Sequence, residues 1–401
     1  MKINSITSAF TVTVICFLSA VLSASFCMGK EKCTTNSVDE IYTPHPKPQP
    51  RINGPLVYGC HPGNPFLYRI PCQGERPIRF SVKGLPPELK LDPSTGILTG
   101  KAPQKGEYEV MILAHNSKGK DKRKFKIVAG DQLSLTPPMG WNSWYVHFNR
   151  ITDKIMREAA DNMVSSGMAD IGYQYVNIDD CWMNASETNP YMPDSTRVGS
   201  PRDRSGNILP NSHFPDRFFS VALKNAMYGA YSKPGAWNDP DYLQIGWIGA
   251  QKGTIFTLPQ PCPLTAQEQY SYMSLWCLMA APLFFSGDMS KLDEFTLNIL
   301  CNPEVIEVDQ DPLGKCGSVI MKTDDRFLMV KNLADGSMAV GFFNRGKSTT
   351  EVTVNWAELQ LSGKQSVRDL WRQKEMGVYK QKFSAQVPAN GVVMIKIRKR
   401  K

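Results

Sequence analysis

Two acidic pairs are the residues of this 401-residue chain best suited to chemistry. Asp179 and Asp180 close the run Tyr175-Val-Asn-Ile-Asp-Asp180, and Asp239 and Asp241 lie in Trp237-Asn-Asp-Pro-Asp241. Side chains alternate along an extended backbone, so adjacent carboxylates point apart, whereas Asp239 and Asp241 face the same way if their segment is extended. Either pair can line one wall of a site and accept hydrogen bonds from hydroxyl groups, where a charged acceptor outdoes a neutral one. Neither pair sets a second carboxylate on the far side of a bound group. Trp141 and Trp144 offer aromatic faces nearby, although tryptophan fills a core more often than it forms a platform. No Cys-x-x-Cys and no His/Cys cluster with zinc spacing occurs, so no metal is expected.

Strands alternating with helices must position these groups. Apolar spacing predicts a helix over 151–166, with Thr152 as N-cap and Gly167 just past its end. A strand follows over 173–178, then a poorly patterned helix candidate over 216–232. A strongly apolar helix over 267–280 leads through Pro282 into a strand over 283–285. That grammar is the one of a (β/α) barrel, whose sites form at the C-terminal ends of the strands.

The flanks read as all-β. Strands are expected over 78–82, 108–114 and 125–128, split by the turn sequences Asp92-Pro-Ser-Thr-Gly96 and Asn116-Ser-Lys-Gly119. Further strands are expected over 337–343, 350–354, 366–370 and 391–397. Thr43-Pro-His-Pro-Lys-Pro-Gln-Pro50 reads as an extended linker. The net charge of +9 gathers partly in Lys118–Lys126 and the terminal 396–401. Without a nucleic-acid motif these read as a solvated strand face and a frayed tail, not a nucleic-acid surface.

Lys2, an apolar stretch over 9–27 and the following Lys30, Glu31 and Lys32 have the layout of a secretory signal. A secreted or periplasmic location follows, with an uncleaved anchor as the other reading and no further membrane segment expected. Eight of the ten cysteines would remain after cleavage, and export permits disulfides, with Cys60 and Cys72 a candidate pair.

Five groups, in order, carry a resemblance to the α-galactosidases of glycoside hydrolase family 27. They are Thr136-Pro-Pro-Met-Gly-Trp-Asn-Ser-Trp144, Tyr175-Val-Asn-Ile-Asp-Asp-Cys-Trp182, Trp237-Asn-Asp-Pro-Asp241, Ala281-Pro-Leu-Phe284 and Asp309-Gln-Asp-Pro-Leu-Gly-Lys315. Residues 85–116 also resemble the immunoglobulin-like modules of secreted bacterial proteins, and the C-terminal strands resemble the family's C-terminal domain. By resemblance, Trp144 would stack on a galactose ring, and Asp179, Asp180 and Asp241 would accept its hydroxyls. The implied partner is an α-galactoside oligosaccharide or polysaccharide, with no cofactor.

The resemblance breaks where the chemistry should be. A retaining glycosidase flanks the bond with two carboxyl groups about 5–5.5 Å apart. In the family these sit on the fourth and sixth barrel strands, the first of them in a Lys-Tyr-Asp-type strand end. Neither Lys-Tyr-Asp nor Lys-Phe-Asp occurs in this chain, and only residues 217–236 separate the sequence approaching the third strand from Trp237. A complete barrel takes about 250 residues, which the span 133–317 does not reach.

The expected chain is therefore multidomain α/β plus all-β. Its parts are a signal (1–27), a Pro-rich linker (28–50), an immunoglobulin-like β-sandwich (51–130), a truncated (β/α)8 TIM barrel or half-barrel (131–317) and a C-terminal antiparallel β-sandwich (318–401). Strands one, two, seven and eight would survive as neighbours in the order 7-8-1-2, with open edges at two and seven. The function implied is that of an α-galactosidase family protein acting on terminal α-D-galactosyl residues, impaired or inactive as written, with no catalytic residue assignable. The alternatives are a galactoside-binding protein without turnover and a deletion product without function.

Overall fold

A computed structural model describes residues 41–179, 232–249, 251–252, 255–256 and 258–400. The expected signal, Asp180 and, Ser232 apart, the helix candidate over 216–232 lie outside them.

The N-terminal region packs two sheets face to face. A four-stranded sheet runs in the order Val57–Cys60, Gly119–Ala129, Gly106–Asn116, Arg79–Lys83, and a three-stranded one in the order Pro65–Arg69, Ile97–Lys101, Leu89–Leu91. Alternate residues of the long hairpin point inward, and Val110, Ile112, Phe125 and Ile127 join Tyr68 and Leu98 in a core of their own. The lysines of the last strand, at 120, 122, 124 and 126, occupy its outward positions, as a period of two requires, while Arg123 on the other face donates to the Ile52 and Gly54 carbonyls. The hairpin turn is closed by Asn116, whose Oδ1 accepts from the amides of Lys118 and Gly119.

Cys60 and Cys72, expected as a candidate pair, are both free thiols. Cys60 ends a strand of the four-stranded sheet, while Cys72 begins a separate two-stranded pairing with Arg51–Ile52.

The expected linker is also different over its described part. Tyr42 stacks on Tyr270 with ring centroids 4.3 Å apart, and the Arg372 guanidinium lies 3.8 Å over the other partner of that pile, the Tyr42 ring. Thr43 Oγ1 donates to the Asn298 carbonyl at 2.8 Å. The alternating prolines keep the segment extended, but its first residues are strapped onto the central domain. Asp170 completes the attachment of the N-terminal sheets by accepting from Arg69 and Arg76.

In the central domain, Met139–Asn142 pairs in parallel with Tyr175–Asn177 on one side and Leu283–Phe285 on the other. Leu243 forms a parallel bridge to Phe285 beyond them. The order is thus Leu243, Leu283–Phe285, Met139–Asn142, Tyr175–Asn177, with all C-terminal ends on one side. Gly140 allows the close approach, since a Cβ there would lie 2.5 Å from the Tyr175 carbonyl oxygen and 2.7 Å from the Phe284 ring. The helix Asp153–Ser165 is capped by Thr152, whose side chain accepts from the Ile155 amide, and ends before Gly167 at φ +85°.

The helix Ala266–Met279 begins at a reciprocal cap between Thr265 and Glu268 and is buried over every residue from Gln269 to Met279. A helix apolar all round must be covered on all sides. The parallel sheet covers one, and the C-terminal domain covers another. That domain is a six-stranded antiparallel sheet in the order Ser318–Lys322, Arg326–Asn332, Met338–Asn344, Val392–Lys399, Gln365–Asp369, Lys374–Tyr379, with the pair Thr350–Asn355 and Lys382–Val387 beside it. Phe327, Met329, Phe343 and Met394 of this sheet share the core of the central domain. Their alternating neighbours Leu328, Phe342 and Ile395 join Trp356 and Phe383 in the sandwich's own core.

Candidate active site

The four strand ends gather the site. Asn142 ends its strand, Asp179 lies just past Asn177, Ser286 follows Phe285, and Asp241 precedes the Leu243 bridge. Asn142 organises the floor. Its Oδ1 accepts from the Trp144 amide at 2.9 Å and its Nδ2 donates to Asp179 Oδ2 at 3.0 Å. Ser143 Oγ takes the Asp179 amide at 3.0 Å, fixing the carboxylate from its backbone as well. Ser286 Oγ donates to the Asn142 carbonyl and accepts from the Tyr145 amide, both at 2.9 Å.

The two tryptophans separate into different roles. Trp141 is fully buried and its Nε1 donates to the Gly287 carbonyl at 2.9 Å, so it belongs to the core. Trp144 is partly exposed and meets Phe148 edge to face at 5.4 Å.

Asp239 and Asp241 do not line up along an extended segment, contrary to the sequence expectation. Asp239 Oδ1 accepts from the Asp241 amide at 2.8 Å, and Asp241 sits at φ +86°. The side chain of Asp239 therefore closes a tight turn, and the strand geometry that would aim both carboxylates one way is lost. A left-handed conformation costs a non-glycine residue about 1–3 kcal/mol and collects at functional sites. Asp241 Oδ1 takes the Tyr242 amide at 2.7 Å, Oδ2 takes the Tyr145 hydroxyl at 2.9 Å, and its carbonyl takes Trp276 Nε1 at 2.9 Å.

The surrounding protein crowds both carboxyls and pushes them above the ordinary range, partly offset by the amides and the Tyr145 hydroxyl. Their side chains still reach solvent, which screens the effect.

Two tyrosines complete the wall and were not singled out from sequence. The Tyr242 hydroxyl donates to Asp179 Oδ2 at 2.8 Å, and the Tyr145 and Tyr242 rings meet edge to face at 6.0 Å. Burial, and then the neighbouring carboxylates, hold both phenols protonated far above the usual tyrosine range. The signal was adjacency, for each directly follows a motif residue, Trp144 or Asp241. Among the sequence-predicted residues, Trp144, Asp179 and Asp241 come together here, and Asp180 lies outside the described residues. No group of three His, Cys, Asp or Glu side chains among the described residues is placed to hold a metal.

The arrangement is a half-exposed aromatic beside hydrogen-bonded carboxylates, suited to a polyhydroxylated ring. Residues 136–204 and 218–311 match the family profile described as Alpha galactosidase A, and 323–397 match the Alpha galactosidase C-terminal beta sandwich domain. The chain belongs to the α-galactosidase (melibiase) family, glycoside hydrolase family 27. Residues 50–130 match an Ig-domain profile, so this family member carries an N-terminal β module as well.

Alpha-galactosidase 2 of Arabidopsis thaliana is 27% identical over 382 aligned positions, covering 69% of this chain and 93% of the relative. A solved candidate α-galactosidase/melibiase from Bacteroides fragilis is 27% identical with a TM-score of 0.75, covering 90% of this chain and 100% of that one. The solved α-galactosidase of Saccharomyces cerevisiae with raffinose shares the fold at 15% identity, with a TM-score of 0.53 over 66% of this chain and 98% of that one.

Proposed function

We propose that this family member is an exported protein that binds terminal α-D-galactosyl groups of oligosaccharides or polysaccharides and does not hydrolyse them. The observation that carries this reading is the composition of the wall. Trp144, Asp179 and Asp241 converge at the ends of neighbouring strands, while Lys-Tyr-Asp and Lys-Phe-Asp strand ends are missing from the sequence. A wall on one side of a sugar binds it, but retaining hydrolysis needs two carboxyl groups flanking the bond.

The alignment lengths support an internal loss. A match of 382 positions that occupies 69% of a 401-residue chain leaves roughly a hundred positions of the relative without counterpart here, comparable to four βα units of a ~250-residue barrel. The break in the family profile falls at 205–217, where the sequence runs from the approach to a third strand into that of a seventh. The retained strands are neighbours, so what remains is a contiguous wall. Asp239 is taken up by its own turn and is a poor substitute nucleophile. The lead over 1–27 supports export, and the raffinose held by the yeast relative supports an α-galactoside as the ligand class.

Hydrolysis of an aryl α-D-galactoside by the purified, folded protein tests this. No turnover is expected, together with measurable binding of the uncleaved glycoside that Asp179→Asn weakens. Turnover abolished by Asp241→Asn or Asp179→Asn would show instead that the remaining wall has recruited catalytic groups.

A further inference from the structure

We propose that Tyr242 is a built-in competitor for the sugar at Asp179, and so sets how tightly this wall takes its ligand. The inference rests on the galactoside-binding reading above and adds a mechanism to it. Asp179 Oδ2 already accepts two hydrogen bonds, from Asn142 Nδ2 at 3.0 Å and from the Tyr242 hydroxyl at 2.8 Å. A carboxylate oxygen offers two lone pairs, so these two donors fill it.

The donors differ in how firmly they are held. Asn142 is 3% exposed, and its other amide atom is bound to the Trp144 backbone, so it stays. Tyr242 is half-buried, and among the described residues its ring meets Tyr145 at 6.0 Å and Phe284 at 6.3 Å, both edge to face. Its hydroxyl comes from a different strand end, 63 residues along the chain, and occupies one of the two acceptor positions of Asp179 Oδ2. The turn at Asp241 contributes, because φ +86° redirects the backbone just before Tyr242, and the Tyr242 amide is tied to Asp241 Oδ1 at 2.7 Å.

A sugar hydroxyl that uses Asp179 Oδ2 must therefore displace a phenol from a charged acceptor. Such charge-assisted bonds are among the stronger hydrogen bonds in proteins. A ligand that must wait for the open state sees its affinity lowered by the open fraction. Galactoside binding is thus attenuated from within, with the ring of Tyr242 kept as part of the wall and only its hydroxyl in competition.

Calorimetric titration of the purified protein with methyl α-D-galactoside tests this, with circular dichroism confirming that each variant is folded. Tyr242→Phe keeps the ring and removes the donor, and binding about tenfold tighter than the unsubstituted protein is expected, the order of one such bond. Tyr242→Met also lacks the donor in a flexible side chain and should bind tighter too. The gain should vanish in Tyr242→Phe combined with Asp179→Asn, which places it at that carboxylate. If the unsubstituted protein binds and neither Tyr242 variant binds tighter, competition is refuted while the galactoside reading stands. If no folded form binds the glycoside, the galactoside reading fails and the competitor role with it.

Discussion

The N-terminal module and the central parallel sheet meet the same need, covering apolar faces, in opposite ways. The module closes its core between its own two sheets, and among the described residues none of the central domain enters that cluster. The central sheet consists of strands three or four residues long and one bridge, too little to bury the helix Ala266–Met279. It borrows one face of the C-terminal sheet, and the two share one continuous core. The carboxylate wall thus stands on a foundation that belongs largely to its neighbour, whereas the module's core is its own.

Breaking the shared core should have the largest effect. Trp276 is buried, packs edge-on against Tyr272 at 4.4 Å and ties the Asp241 backbone. Trp276→Ala is expected to cost about 3–5 kcal/mol, read from urea denaturation. The transition of the central and C-terminal domains should move, while that of the module stays. A single transition in which all three domains shift together would erase the contrast.

The next effect goes the other way. Lys331 is fully buried with its Nζ donating to the Cys277 carbonyl at 3.2 Å, and Asp309 is fully buried with Oδ1 unpartnered among the described residues. Burial lowers the Lys331 pKa and raises that of Asp309. Replacing both by apolar residues, Lys331→Met with Asp309→Leu, should stabilise the shared core by about 1–4 kcal/mol. The pH dependence gives the sign. A depressed lysine makes stability rise as pH climbs through its folded pKa toward the unfolded value. A raised aspartate makes stability fall as pH climbs from the ordinary carboxylate range through its folded pKa. Both slopes should disappear from the stability profile of the double variant.

The smallest effect belongs to the module. Ser94, through its hydroxyl and its amide, holds the Asp92 carboxyl down at about 2. That contribution is present above the unfolded value and is lost as pH falls toward 2. Asp92→Asn should flatten the thermal midpoint of the module between pH 5 and pH 2 and leave the shared core untouched.

Local chemistry was the legible part of the sequence. Thr152 and Gly167 bound their helix, Asn116 closes its hairpin, and Asp92 organises its turn because each acts on backbone a few residues away. The strand Arg326–Asn332 escaped prediction because Lys331 interrupts the apolar pattern while lying buried itself. The strap was hidden for another reason. Alternating prolines specify an extended backbone, but only the distant Tyr270 and Asn298 decide that it docks. Within the wall, carboxylates and tryptophan could be named from motifs. The Tyr242–Asp179 bond and the φ of Asp241 depend on how separate strand ends meet, which no local pattern encodes.

The strap has a mechanical consequence. Tension applied to the chain ahead of Tyr42 enters the central domain before it reaches the module, through the Tyr42–Tyr270 stack on the helix Ala266–Met279 and the bonds of Thr43 to Asn298 in the helix Glu294–Leu300. The module then hangs as a side loop, shielded from load by a clasp upstream of it. Pulled from its N-terminus, this protein would yield first at a pile of two aromatic rings and an arginine, and only afterwards in any sheet.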